Sequence, residues 1–291
     1  MVNKSRRDFL KTSLAAGALA TSGTLPAAAA GKATDFVTLG KTKVRVTRLA
    51  FGTGTNNGHV QRSLGQDAFT NLVHHAWDRG IRFYECADSY PGMHEMLGIA
   101  LKGYPRESYQ LMTKITTDSG DPQQRFDQLR KQANSDYFDV MLLHVQQGTD
   151  WPQHTKRWQD AIAEAQHKQM VRARGASVHG LDALRQVPQT GWLEVAMIRM
   201  NHRGTRMDNN GNEWNSTGDV QEVVQHVHQA RQAGLGVISM KLAGEGAFNQ
   251  DDRRKAMRFA FQNAGVDCVT VGYKAPSEVD EAIDNLNAAL A

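Results

Sequence analysis

The sequence predicts an α/β protein, a (β/α)8 barrel with an N-terminal β-hairpin. Three observations lead there. Strand-like and helix-like segments alternate eight times after residue 47. The strand segments are short and continuously apolar, as in Val140-Met-Leu-Leu143, which suits a parallel sheet covered by helices. No linker or break interrupts the alternation after residue 35. Strict alternation in units of about 30 residues favours a closed barrel over an open sheet. The rival is a doubly wound sheet, yet no Gly-x-Gly-x-x-Gly fingerprint opens the first helix, and Gly52-Thr53-Gly54 is only part of one.

Composition narrows the class. The 291 residues are 40% hydrophobic and 22% charged, with two cysteines. That excludes a disordered chain, a disulfide scaffold and a four-cysteine metal site. No apolar run approaches the roughly 18 residues a bilayer span needs, so stable membrane insertion is not expected. The net charge of +4 resides mostly in the leader, where Lys4, Arg6, Arg7 and Lys11 face only Asp8; residues 31–291 carry 30 basic and 29 acidic side chains. A nucleic-acid face is therefore not indicated.

In chain order, the leader comes first. Ser5-Arg6-Arg7-Asp8-Phe9-Leu10-Lys11 precedes a short apolar stretch, broken by Ser13 and Gly17, and an alanine run, Ala27 to Ala30. Charged region, short apolar region and small-residue cleavage site are the parts of an export signal. The segment resembles a twin-arginine signal, which implies recognition by the twin-arginine translocation machinery and export to the periplasm in the folded state. Residues 1–30 are read as this signal and 36–291 as the barrel domain; cleavage near Ala30 leaves a chain of ordinary barrel size.

Residues 36–44 read as two short strands around a Gly-Lys-Thr-Lys turn. The eight units pair strand 48–52 with helix 67–79, 81–87 with 95–101, 109–114 with 123–134, and 138–144 with 154–169. They continue with 171–177 and 181–187, 193–200 and 220–233, 235–241 and 251–263, and 266–272 and 277–290. Val220, Val223, Val224 and Val227 form one apolar helix stripe, as do Trp158, Ile162 and Ala165. Ala233-Gly234 and Ala264-Gly265 supply helix C-caps. His74, His75, His226 and His228 lie on outer helices and are expected to be solvated. Cys86 and Cys268 sit on strands separated by the first, so no disulfide is expected. Residues 202–218, with Met207 the sole aliphatic, form a long loop of the functional kind on the barrel face where active sites form.

Chemistry in such barrels is built at the C-terminal strand ends. Glu85 and Tyr90, Lys114, His144, Ser177 and His179, Asn201 and Lys241 fall there in successive units. Ionisable groups converging in a barrel mouth require mutual pairing or a ligand. A Lys114 ammonium near Tyr90 is expected to lower the phenol pKa, with Glu85 balancing the lysine and His144 donating to a carbonyl oxygen. That set suits protonation of a carbonyl oxygen while hydride reaches its carbon.

Several motifs resemble those of the aldo-keto reductases. They are Leu39-Gly-Lys-Thr with Arg48-Leu-Ala-Phe-Gly52, Arg82-Phe-Tyr-Glu-Cys-Ala-Asp-Ser-Tyr90 continuing to Glu95-Met-Leu-Gly-Ile-Ala-Leu101, Thr113-Lys114, Asp139-Val-Met-Leu-Leu-His144, Gly175-Ala-Ser-Val-His-Gly180, Val237-Ile-Ser-Met-Lys-Leu-Ala-Gly244 and Val269-Thr-Val-Gly272. The resemblance implies an NAD(P)-dependent oxidoreductase acting on a small carbonyl or alcohol substrate, such as a small aldehyde or sugar. It implies Tyr90 as general acid, Lys114 as its modulator and His144 as substrate-orienting donor, with Glu85 standing where the family has aspartate. It also implies a site for NADP (or NAD) made by Gly52, Thr53, Gly54, Ser177, His179, Asn201, Lys241, Leu242, Gly272 and Lys274, with no metal. Met197 stands where the family carries glutamine, and Ala282 where an adenine-contacting asparagine is common. Because free nicotinamide cofactors are not expected outside the cytoplasm, the cofactor would be loaded before export. Two alternatives stay open. Glu85, His144, His179 and His202 would serve a metal-dependent sugar isomerase, lyase or hydrolase, and a barrel without cofactor affinity would bind a ligand alone.

Overall fold

The chain closes eight parallel strands into a barrel, in a computed structural model that describes residues 31–209 and 214–291. The leader, read as an export signal, and four residues of the long loop lie outside the described residues. An antiparallel pair, β1 (Phe36–Thr38) and β2 (Arg45–Thr47), comes first. Its second strand starts later than expected, because the Leu39 N–H donates to the Val44 carbonyl at 3.0 Å and makes 39–44 the turn. Packing begins ahead of the hairpin: Ala33 is fully buried and its N–H donates to Asn287 Oδ1 at 2.8 Å.

The barrel then runs β3 (Leu49–Gly52), α1 (His59–Arg62), α2 (Gln66–Asp78), β4 (Phe83–Glu85), α3 (Met93–Ala100), β5 (Gln110–Ile115) and α4 (Pro122–Gln132). It continues β6 (Phe138–Gln146), α5 (Trp151–His154), α6 (Lys156–His167), β7 (Val171–Val178), α7 (Leu181–Gln186), β8 (Val195–Arg199) and α8 (Val220–Gln232). It ends β9 (Gly236–Met240), α9 (Gln250–Arg258), β10 (Cys268–Gly272) and α10 (Pro276–Leu290). Strand β10 pairs with both β9 and β3, which closes the cylinder. All eight predicted strand–helix units are present, with two internal differences. The helix expected over 154–169 is α6, and an additional short helix, α5, precedes it across Thr155, whose hydroxyl donates to the Trp151 carbonyl at 2.7 Å. The helix expected over 251–263 changes to a wider π-helical turn at Phe259–Asn263.

Side chains alternate across each strand, and this period of two sorts the interior into layers. Ala50, Phe83, Met112, Val140, Leu142, Ala173, Val195, Met197, Ile238 and Cys268 fill the inside, with Leu39, Val44 and Val46 of the hairpin region plugging the lower end. Two residues further along the strands the same face carries Glu85, Lys114, His144, Arg199 and Thr270, and four beyond Ala173 it carries Ser177. The middle of the interior is apolar, and the ionisable groups gather in the top layer. The fold thus lifts the chemistry-bearing residues to one rim.

Outside the cylinder, three of the four helix histidines also touch neighbouring elements, while His228 is exposed as expected and His226 pairs within its own helix. His75 Nε2 lies 3.0 Å from Asp280 Oδ1, His74 Nε2 2.9 Å from the Ala100 carbonyl, and His228 Nε2 3.0 Å from the Asn263 carbonyl. His226 Nε2 stands 3.6 Å from Glu222 Oε1. Amphipathic periodicity shows which face turns inward, but not that long polar side chains stitch adjacent helices. Cys86 and Cys268 are both buried free thiols.

His94 on α3 gives the fold an acid-sensitive point. It is buried, with Nε2 2.9 Å from Thr113 Oγ1, and burial drives its pKa down to about 4. Between that value and the ordinary 6.5 or so, the unfolded chain binds a proton that the folded chain refuses. Stability from this group is therefore complete above the upper value and declines as pH falls through the window. Wild type is expected to lose about 2 kcal/mol through His94 between pH 7 and pH 5. Unfolding of wild type and His94→Gln at the two pH values measures it; equal losses in both proteins would refute the assignment.

Candidate active site

The buried pair at the top of β4 and β5 sets the electrostatics of the rim. Lys114 is 1% exposed and Glu85 3% exposed, and the ammonium is in direct contact with Glu85 Oε1. Lys114 Nζ also donates to the Cys86 carbonyl at 3.2 Å, while Glu85 Oε2 accepts from the Thr53 N–H at 3.3 Å. Burial and the Lys241 charge push the lysine well below its ordinary range. The Glu85 carboxylate opposes them and is the partner such a buried cation requires.

Tyr90 lies in the turn after β4, 8% exposed, with Lys114 Nζ 4.7 Å from the centre of its ring. Its ring meets that of His144 edge to face, 5.6 Å between centres. The expected lowering of the phenol pKa is not what the geometry produces. Burial raises it well above the ordinary range, Cys86, Glu245 and Asp88 add to the rise, and Arg199 opposes it. Lys114 faces the ring and is already neutralised by Glu85, so it does little to draw the proton off. The phenol is held protonated.

His144 ends the interior run of β6 just before a bulge in the β6–β7 pairing. Val145 beyond it has φ 55, an uncommon backbone for a β-branched residue. Its N–H is held by Ser177 Oγ at 3.0 Å, so Ser177 supports the kink that places His144. His144 Nδ1 lies 3.1 Å from Ser89 Oγ. Burial first, then the Lys114, Lys241 and Arg199 charges, hold the imidazole well below its usual pKa and hence neutral.

From Tyr90 a cleft of about 370 Å³ extends along the ends of β9 and β10 towards α10. Gly52, Gly54, Lys241, Leu242, Gly272 and Lys274 of the expected cofactor set line it, together with Glu85, Tyr90 and Met197. Glycine is needed at Gly54, where a Cβ would stand 2.5 Å from the Tyr90 hydroxyl oxygen, and at Gly272, where it would strike Thr55. Thr53, Ser177, His179 and Asn201 are not among the lining residues. Thr53 Oγ1 donates to the Glu85 carbonyl at 2.9 Å, and Asn201 caps its own loop, donating to Thr205 O at 2.7 Å.

Sequence reasoning missed several groups here. Thr270 lines the cleft with its buried hydroxyl unpartnered, and Arg253, Glu281 and Asn285 line the α10 end. Arg253 holds Glu281 through two bonds of 2.7 and 2.8 Å. Glu245, with φ 55, contacts Lys241 and accepts from Arg206 Nη1 at 2.6 Å. Arg199 pairs with Asp208 at 2.6 Å. Counting by two from Val195 and Cys268 points to Arg199 and Thr270; nothing in the local sequence singles out Arg253 or Asn285.

The loop after β8 is pinned to this rim. Asp208 Oδ1 accepts from the Asn215 N–H at 2.7 Å, and the Trp214 ring meets the His179 ring 5.3 Å away. The metal alternative finds no support in the geometry. Glu85 is committed to Lys114, His179 lies beside Asp208, and His202 lies beside Asp252. Among the described residues no three His, Cys, Asp or Glu side chains converge as ligands.

A parallel barrel with a phenol, an ammonium–carboxylate pair and a neutral imidazole on its upper rim, opening into an elongated cleft, defines a class of cofactor-using oxidoreductases. The sequence agrees: residues 48–258 match the Aldo/keto reductase family, and the chain belongs to it. Residues 5–23 match the TAT (twin-arginine translocation) pathway signal sequence, an export signal, and no described helix is long and apolar enough to cross a membrane. Comparison with curated protein sequences found no match. Among solved structures, a protein of Pseudomonas aeruginosa described as an aldo-keto reductase superposes with TM-score 0.72 at 20% identity, covering 89% of this chain and 98% of its own. The holo form of an aldo-keto reductase from Bacillus halodurans gives 0.68 at 17% identity, covering 87% and 91%. An aldo-keto reductase from Klebsiella pneumoniae in complex with NADPH gives 0.67 at 14%, covering 87% and 90%. At such identities the likeness speaks for the fold.

Proposed function

We propose that the protein is an NADP(H)-dependent carbonyl reductase, exported by the twin-arginine route with residues 1–30 as its removable signal, and working in the periplasm. The observation that carries the reading is the contact of Tyr90 with both groups it needs. Its ring lies between Lys114 and His144, and the cleft begins at Gly54 beside its hydroxyl. The cleft residues fit a dinucleotide. Gly52, Gly54 and Gly272 line the cleft with bare backbone, where a Cβ would strike Thr270, Tyr90 and Thr55, and the unpartnered Thr270 hydroxyl is free for a polar ligand group. Lys274 supplies a cation for a phosphate, its exposed pair with Glu278 at 3.8 Å being weak enough to yield, while Lys241 and Arg253 line the cleft paired with Glu245 and Glu281. The NADPH found with the Klebsiella protein supports the choice of cofactor.

When bound, the reduced nicotinamide supplies hydride. This chain's residues handle the oxygen. His144, neutral, donates to the substrate carbonyl and fixes its direction. Tyr90 gives its proton to that oxygen as charge develops, and the phenolate left behind faces the Lys114 side of the rim. The products are an alcohol and oxidised nicotinamide, and the phenolate regains its proton from solvent. Glu85 holds Lys114 in place, a positioning role.

The test uses the mature protein purified after export. Extraction is expected to recover NADP(H) from it, and NADPH is expected to quench its tryptophan fluorescence and to be oxidised with a panel of small aldehydes. Absence of bound cofactor, of quenching and of oxidation with either NADPH or NADH would end this reading.

A further inference from the structure

The polar rim contains one cation that the reaction above does not use. Arg199 closes β8, and Val195 and Met197 on the same face point into the barrel, so its side chain enters the mouth. It is 4% exposed. Asp208 takes only one corner of its fork, through Nη1 at 2.6 Å, and that nitrogen also approaches the Arg206 carbonyl at 3.4 Å. The Nε is buried without a partner. Beside it, His179 Nδ1 is likewise buried and unpartnered, 3.8 Å from the same Asp208 oxygen. The Trp214 ring lies against both, 5.3 Å from the Arg199 guanidinium carbon and 5.3 Å from the His179 ring centre.

A pair built only to pin the loop has no need of a spare guanidinium edge. An unpartnered guanidinium N–H, beside an unpartnered imidazole nitrogen able to carry a proton and shielded by an indole, matches a planar acceptor with two oxygens. Nearby carboxylates are already engaged: Glu85 by Lys114, Glu245 by Lys241 and Arg206, and Asp208 by Arg199 and the Asn215 N–H. Arg199 stands in the interior layer that also carries Lys114 and His144, the two groups against the Tyr90 ring.

We propose that Arg199, with His179, recognises a carboxylate on the substrate, so that the compound reduced at Tyr90 is a short oxo acid or aldehyde acid. This rests on the reductase reading and names its substrate class. The carboxylate itself is unchanged in the reaction; only the carbonyl gains hydride and proton.

Two substrate pairs test it, each with a carboxylate in place of a methyl group: glyoxylate against acetaldehyde, and succinic semialdehyde against butanal. With NADPH, at least one acid is expected to exceed its neutral partner in kcat/KM by about 10- to 100-fold. In the double variant Arg199→Gln, Asp208→Asn, which replaces the ion pair without stranding a charge, that ratio is expected to fall to about 1. Arg199→Lys keeps a charge for Asp208 but loses the fork, and is expected to lose the preference as well. Calorimetry with succinate and succinamide gives a second readout independent of turnover. Succinate alone is expected to bind, and only to wild type. Equal reduction of acids and neutral aldehydes overturns the proposal and leaves the reductase standing. Arg199-dependent succinate binding without any NADPH oxidation sinks the reductase and keeps carboxylate recognition. Succinate binding undiminished in both variants overturns Arg199 as the recognising group.

Discussion

Replacing Tyr90 with phenylalanine is expected to lower kcat for carbonyl reduction by about 100- to 10,000-fold, the range a positioned general acid commands. The loss should be confined to chemistry. The phenyl ring keeps its edge contact with His144 and its place over Lys114, and it removes a hydroxyl rather than opening a cavity. Melting temperature should therefore stay close to wild type. The raised phenol pKa adds a second signature. Because burial keeps Tyr90 protonated, reduction by the wild type should hold through alkaline pH where an ordinary phenol, near about 10, starts to ionise. Steady-state rates across pH, with cofactor affinity measured separately, check both points. A folded Tyr90→Phe protein with more than about a tenth of wild-type kcat is incompatible with the acid assigned here.

The barrel was legible because burial imposes periodicities that survive without knowledge of neighbours. Val140-Met-Leu-Leu143 reads as a strand because both its faces are covered, and the Val220 to Val227 stripe reads as a helix because only one is. The rim was legible as far as residue type at a strand end allows, and Glu85, Lys114 and His144 do share the interior face. What escaped depends on long-range geometry. The Tyr90 pKa goes up because its hydroxyl is buried and Lys114 is spent on Glu85, and no spacing reveals which of two partners a lysine prefers. Arg199 escaped because it looks like a strand-end surface residue until Asp208, nine residues on, folds back to cover it. Ser177 was expected against cofactor, but its hydroxyl accepts from Val145, whose left-handed backbone appears only when β6 bulges.

That preference of Lys114 for Glu85 leads to a large expected stability effect. Lys114→Met leaves the Glu85 carboxylate buried with the Thr53 N–H as its remaining donor, and is expected to cost about 3–5 kcal/mol. Glu85→Gln strands the ammonium against the Cys86 carbonyl and should cost a similar amount. The double variant Glu85→Gln, Lys114→Met removes both charges and should recover most of the loss, so the coupling exceeds either side chain's net worth. Catalysis should not recover with it, since the ammonium beside Tyr90 is gone. Glu85→Asp is the telling intermediate. Shortening the side chain by one bond of about 1.5 Å withdraws the carboxylate from contact with the ammonium or from the Thr53 N–H, and either way weakens a geometry set by glutamate's reach. Denaturant unfolding of the four variants measures the cycle. Single losses below about 1 kcal/mol would mean that the pair is solvated, and the rim would then lack the dry, preorganised charge on which its chemistry depends.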